Sequence, residues 1–177
     1  MDRKIWLRSG IATAAAASAL VAAGLMAQAG NQRERQPGRD AGATPDHIML
    51  NQGDLEWKKG PPSLPAGAEM ATLEGDSSRN GPFTIRVKLP ADYRIPAHTH
   101  PGIEHVTVIS GALHMGKGNK LDTSKGKELK RGGFAVMAIG TEHYAWTGDE
   151  EAVIQLHGMG PWDIYYLDPS TDPRNNR

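Results

Sequence analysis

The chain has 177 residues, 20 basic and 20 acidic side chains, seven histidines and no cysteine. That length suits one domain with its own core, and the cancelled charge offers no field for nucleic acid or an anionic membrane surface, which leaves a small molecule as the expected partner. Without cysteine there are no disulfides, iron–sulfur clusters or thiolate zinc sites, so any metal must be held by nitrogen and oxygen.

The first segment runs "MDRKIWLRSG", "IATAAAASALVAAGLM", "AQAG": a basic head, an apolar middle and a small-x-small end. This is the pattern of a secretory signal peptide over residues 1–29, with cleavage after Ala29 and a periplasmic or secreted product. The apolar run is short and alanine-rich, below the ~20 strongly apolar residues of a spanning helix, so no stable membrane insertion is expected after cleavage. Removal of the signal leaves a nearly neutral chain. Residues 30–45, "GNQRERQPGRDAGATP", hold almost no large apolar side chains and cannot recover the entropy of ordering; they read as a disordered tether.

From residue 46 to 170 the pattern changes to short β-branched and aromatic runs broken by Gly, Pro and Asp about every ten residues, the rhythm of an all-β sandwich or barrel. The expected strands are "EMATLEG", "FTIRVKL", "EHVTVISG", "ALHMG", "FAVMAI", "HYAWTG", "AVIQLHG" and "DIYYLD". No segment holds a helical period behind a capping residue, so helix beyond a turn or two is not expected. "KGKELKR", from Lys125 to Arg131, reads as a solvated loop, and residues 171–177 as a polar tail.

Four of the seven histidines fall between Pro96 and Gly116. On an extended chain His98 and His100 project from the same face, about 7 Å apart, where one ion can bridge them. Pro101-Gly102 then turns the chain into a strand on which Glu104, Val106 and Val108 share one face and His105, Thr107 and Ile109 the other. With the valines in the core, Glu104 points inward, and a buried carboxylate needs a cation or a proton. Downstream, in "GGFAVMAIGTEHYAW", a strand ends at Gly140 and His143 begins the next.

These segments resemble the cupin family. Its first signature is Gly, five residues, His-x-His, three or four residues, Glu, six residues, Gly; here His98, His100, Glu104 and Gly111 fall at those places, with Asp92 for the leading Gly. Its second is Gly, five residues, Pro-x-Gly, two residues, His, three residues, Asn; Gly132, Gly140 and His143 match, while Ala138 replaces the Pro and Thr147 the Asn. The departures touch turns: Asp92 can adopt a turn conformation, and Thr147 removes an amide that would fix a neighbouring loop. The resemblance spans roughly Glu69 to Tyr166. It implies a single jelly-roll-like barrel whose metal is held by His98, His100, Glu104 and His143.

Three nitrogens and one carboxylate oxygen suit Fe(II), Mn(II), Zn(II), Ni(II) or Cu(II). Four protein ligands leave two octahedral positions for water, dioxygen or a chelating substrate. The resulting expectation is a mononuclear metalloenzyme acting on a small oxygenated molecule, with a dioxygenase first among the possibilities the family offers, isomerases and lyases among the others. The alternative is a non-catalytic periplasmic binding or sensing module in which the ion anchors ligand or fold. Candidates for further roles are Tyr93 and, if their face of "AVIQLHG" lines the barrel, Gln155 and His157. Tyr144 and Trp146 read as packing, Phe134, Met115, Met137 and Trp162 as core or dimer contact, and His105 and His114 as solvent-facing. Exposed strand edges suggest a homodimer.

Overall fold

The structure is a computed structural model and describes residues 47–175; the signal segment, its cleavage site at Ala29 and the tether lie outside the described residues. In the strand Gly81–Leu89 the apolar residues recur at every second position, so Phe83, Ile85, Val87 and Leu89 are all buried while Thr84, Arg86 and Lys88 face the other way. Burying each of those large side chains is worth about 1.5–3 kcal/mol relative to exposure, which is what fixes the register of this central strand.

Eleven strands result among the described residues: β1 (Lys58–Lys59), β2 (Glu69–Glu74), β3 (Gly81–Leu89), β4 (Arg94–Thr99), β5 (Glu104–Ser110), β6 (Ala112–Lys117), β7 (Lys127–Lys130), β8 (Phe134–Met137), β9 (His143–Trp146), β10 (Ala152–Gly160) and β11 (Tyr165–Tyr166). They form two antiparallel sheets, β1-β2-β3-β10-β5-β8 and β11-β4-β9-β6-β7. The core lies between them: Phe83, Val106 and Leu156 from the first sheet meet Ile95, Leu113 and Met115 from the second. Helix among the described residues is limited to two single 3-10 turns, Gln52–Asp54 and Pro169–Thr171. The fold is the all-β, jelly-roll-like cupin barrel that the strand rhythm and the paired signatures predict.

Two segments depart from the expected elements. Lys125–Arg131 is not wholly a loop, because Lys127–Lys130 pairs with β6 and buries Leu129. Its charged neighbours mark an edge strand, where lysines protect the open ladder from further pairing. Arg94–Thr99 is a strand in spite of Pro96, because the pairing with β9 slips between Ile95 and His98. A proline has no N–H to give the ladder, and a bulge is one of the places where a sheet accepts that.

The turn before β4 shows how the two sequence departures are accommodated. Asp92 sits at φ 56°, a left-handed conformation that favours Gly but that Asp tolerates. Thr147 performs the tie that an amide would have made: its hydroxyl accepts the Tyr93 N–H at 2.8 Å and donates to the Pro90 carbonyl at 2.6 Å. The polar tail is held as far as Arg174, whose guanidinium bonds Asp172, the Asp163 carboxylate and the Ile164 carbonyl.

Candidate metal centre

The bulge in β4 delivers His98 opposite His143 of β9 as direct cross-strand partners, with ring centroids 4.3 Å apart. His100 follows just past the end of β4, and Glu104 opens β5 in the other sheet. The four positions therefore come from both sheets and meet in the core between them. Each is buried, His98 and His100 at 3% exposure, Glu104 at 7% and His143 at 1%.

Ligand atoms of His98, His100 and His143 all lie within 4.8 Å of one another. The Glu104 carboxylate is 3.2 Å from His143 Nε2 and 3.5 Å from His100 Nε2. Every imidazole is oriented from behind by the main chain. His98 Nδ1–H donates to the Pro96 carbonyl at 2.6 Å, His100 Nδ1–H to the Asp163 carbonyl at 2.8 Å, and His143 Nδ1–H to the Thr141 carbonyl at 2.9 Å. A carbonyl can only accept, so Nδ1 carries the proton in each ring and Nε2 keeps its lone pair.

Those inner atoms are left without partners. His100 Nε2, His143 Nε2 and Glu104 Oε2 are buried and hydrogen-bonded to nothing, although His143 Nε2 and the Glu104 carboxylate approach to 3.2 Å. Such atoms are expensive to bury unless a cation meets them. Imidazole nitrogens tied at their far side to carbonyls, together with one carboxylate, are a donor set suited to a first-row divalent ion. The residues present fit the group.

The electrostatics favour the neutral ring at His98 and at His100. Burial, reinforced by the neighbouring His143 and His100, holds His98 down to about 3, and burial lowers His100 as well. Burial pushes the Glu104 carboxyl up, but His143 beside it and the other two rings outweigh that and keep it below its ordinary value. Burial likewise pulls His143 down, and the Glu104 carboxylate more than reverses it.

The further candidates fall elsewhere. Gln155 and His157 lie on the outer face of β10, because Ile154 and Leu156 take the inner one; the expectation that their face lines the barrel is corrected. Gln155 accepts from Arg86 Nε at 3.2 Å, and His157 stacks on His105 of β5 at 4.6 Å and 9°. Tyr93 is buried in the core and gives its hydroxyl to the Pro65 carbonyl, while burial raises its phenol well above the ordinary value. Tyr144 and Trp146 pack with Ala97 on the far side of β9, and His114 stacks on Trp146. Trp162 is the residue that pattern alone misses: it stacks on His100 at 4.3 Å and 17°.

A family model described as the ChrR cupin-like domain matches residues 45–163. Among solved structures, the polyketide cyclase RemF from Streptomyces resistomycificus is similar at 14% identity, over 73% of this chain and 91% of that one, with a TM-score of 0.59. An RmlC-like cupin protein from Ralstonia eutropha JMP134 is similar at 17% identity, over 69% of this chain and 73% of that one, with a TM-score of 0.53. An RmlC-like cupin from Shewanella frigidimarina NCIMB 400 is similar at 12% identity, over 67% and 95%, with a TM-score of 0.50. At such identities the likeness is one of fold. No curated protein matches the chain. With the family model covering most of its length, and the signature histidines gathered in one buried cluster, the chain belongs to the ChrR cupin-like family.

Proposed function

We propose that the protein is an exported cupin that binds one divalent ion through His98, His100, Glu104 and His143 and acts on a small oxygenated molecule, with dioxygenase activity the first to assay. The observation that carries this reading is the preparation of the three imidazoles. Each Nδ1–H is held by a main-chain carbonyl, which leaves three Nε2 lone pairs beside one buried carboxylate. When bound, a divalent ion would supply Lewis acidity and, for iron, manganese or copper, redox capacity. The chain's own residues orient the ligand rings and, through aliphatic walls such as Val106 and Leu113, exclude bulk water.

One observation favours a second reading, the binding or sensing module. Among the cavity-lining residues outside the cluster, none is a titratable acid or base. Gln155 and His157 sit on the outer face, and the Tyr93 hydroxyl is engaged by Pro65. A module that only holds a ligand needs no such group. Oxygen consumption by the Fe(II)-loaded protein with small catechols and β-diketones separates the readings: turnover that disappears in His98→Ala supports the enzyme, and calorimetric binding without turnover supports the module.

Export rests on the signal-like residues 1–29, and cell fractionation tests it. A homodimer is supported by β8, an edge strand that leaves Phe134 54% and Val136 48% exposed, since apolar side chains on an open edge favour pairing.

A further inference from the structure

A second pair of histidines meets on the outer face of the first sheet. On β5 the buried residues are Glu104, Val106 and Val108, so His105 and Thr107 face outward. On β10 Ile154 and Leu156 are buried, so Gln155 and His157 share that outer face. The two strands are neighbours, and His105 and His157 are direct cross-strand partners. Their rings stack with centroids 4.6 Å apart and 9° between planes, and both side chains are half-buried. Glu104 and Leu156 point to the other side, so the sheet itself separates this pair from the cluster.

The ring nitrogens distinguish this pair from an ordinary aromatic stack. His105 Nδ1–H donates to the His157 carbonyl at 3.3 Å. A carbonyl only accepts, so His105 Nε2 keeps its lone pair. His100 is prepared in the same way, with Nδ1 tied to a main-chain carbonyl and Nε2 left for an ion. No hydrogen bond among the described residues reaches His105 Nε2 or either ring nitrogen of His157. In the same row Thr84 of β3 flanks His157 and Val136 of β8 flanks His105, so neither immediate neighbour is charged. Glu74 continues the row beyond Thr84, whose hydroxyl donates to its carboxylate at 3.3 Å. Arg86, two residues further along β3, gives its Nε to Gln155 Oε1 at 3.2 Å.

We infer that His105 and His157 form a second, surface site for a divalent transition metal, with Cu(II) the preferred ion. Metal–nitrogen bonds of about 2.0–2.1 Å need the two nitrogens about 3 Å apart. The stack reaches that separation when the outer edges of the rings tip together, a rotation about χ2, where the histidine torsion is broad. Strand pairing already holds the two side chains side by side, about 4.5–5.5 Å apart at Cβ. The second metal–nitrogen bond is therefore intramolecular and gains from a high effective concentration. Two imidazoles with water in the remaining positions suit copper, nickel and zinc, and the order of affinities puts copper first. The site shares no residue with the cluster and does not depend on what the cluster binds.

The test is a Cu(II) titration of the protein followed by calorimetry and electron paramagnetic resonance. Two coppers per chain are expected, the second with a tetragonal spectrum split by two nitrogens. His105→Ala and His157→Ala should each weaken that second copper about tenfold or more and leave the first unchanged, while His114→Ala should alter neither. In the native protein the second equivalent should also broaden the amide resonances of Thr84 and Thr107, a readout that needs no variant to fold. Equal copper binding in native protein, His105→Ala and His157→Ala, or unbroadened Thr84 and Thr107, would overturn the inference. A single copper lost in His98→Ala would likewise overturn it and leave the cluster standing. A single copper lost in His157→Ala and kept in His98→Ala would support it and remove the cluster's claim to copper instead.

Discussion

Replacing Thr147 with Val deletes one hydroxyl and leaves the side-chain shape almost unchanged, so its effect isolates the tie between β9 and the turn before β4. The hydroxyl accepts the Tyr93 N–H and donates to the Pro90 carbonyl, and Thr147 is 3% exposed. In Thr147→Val the buried Tyr93 N–H is left without an acceptor, at about 1–3 kcal/mol. The half-buried Pro90 carbonyl is reached more easily by water and loses about 0.5–1.5 kcal/mol. Together these predict a loss of about 2–4 kcal/mol, a fall in Tm of roughly 6–15 °C for a domain of this size. Thr147→Ser keeps the hydroxyl and should stay within about 1 kcal/mol of native. Urea and thermal unfolding followed by circular dichroism supply the comparison. If Thr147→Val matched the native protein while retaining the fold, the hydroxyl would not be what holds the approach to His98.

Other outcomes follow from the same structure. His98 is held at about 3 by burial, against an ordinary value near 6.5 in the unfolded chain. The unfolded state therefore binds the extra proton first, and the metal-free protein should lose stability as pH falls from about 6.5 toward 3. His143, held above its ordinary value by Glu104, contributes in the opposite sense: stability present below about 6.5 and lost as pH rises through its folded value. The difference in urea midpoint between native and His98→Leu, measured across pH, isolates the first contribution, and a flat difference would refute it. At φ 56°, Asp92→Val should cost about 1–2 kcal/mol and Asp92→Gly should not, as read by thermal unfolding. If β8 pairs two copies, Phe134→Glu together with Val136→Lys should convert a dimer to a monomer in analytical ultracentrifugation with the fold retained; an unchanged sedimentation coefficient would place any interface elsewhere.

The sequence makes the strands of the central sheet legible because their inner faces alternate strictly, as in Phe83, Ile85, Val87 and Leu89. The segments it conceals are those whose pairing is irregular or whose faces are charged. Arg94–Thr99 hides behind Pro96 and a register slip, and Lys127–Lys130 behind a single buried Leu129. The cluster positions were readable from period two at His98 and His100 and from the paired signatures. Alternation on β10 also carried the signal that Gln155 and His157 face outward, since Ile154 and Leu156 between them claim the core; the apolar Val153 beside Gln155 obscured it. The orienting partners had no such signal. They are main-chain carbonyls of Pro96, Thr141 and Asp163, and Asp163 reaches His100 across 63 residues of chain. Trp162 is likewise brought to the cavity by tertiary packing rather than by any local pattern.

Anomalous scattering from crystals of the protein grown with zinc tests the central arrangement most directly. One strong peak per chain is expected about 2.0–2.2 Å from Nε2 of His98, His100 and His143 and from a Glu104 oxygen. A peak held only by other side chains, or none between these four, would contradict it.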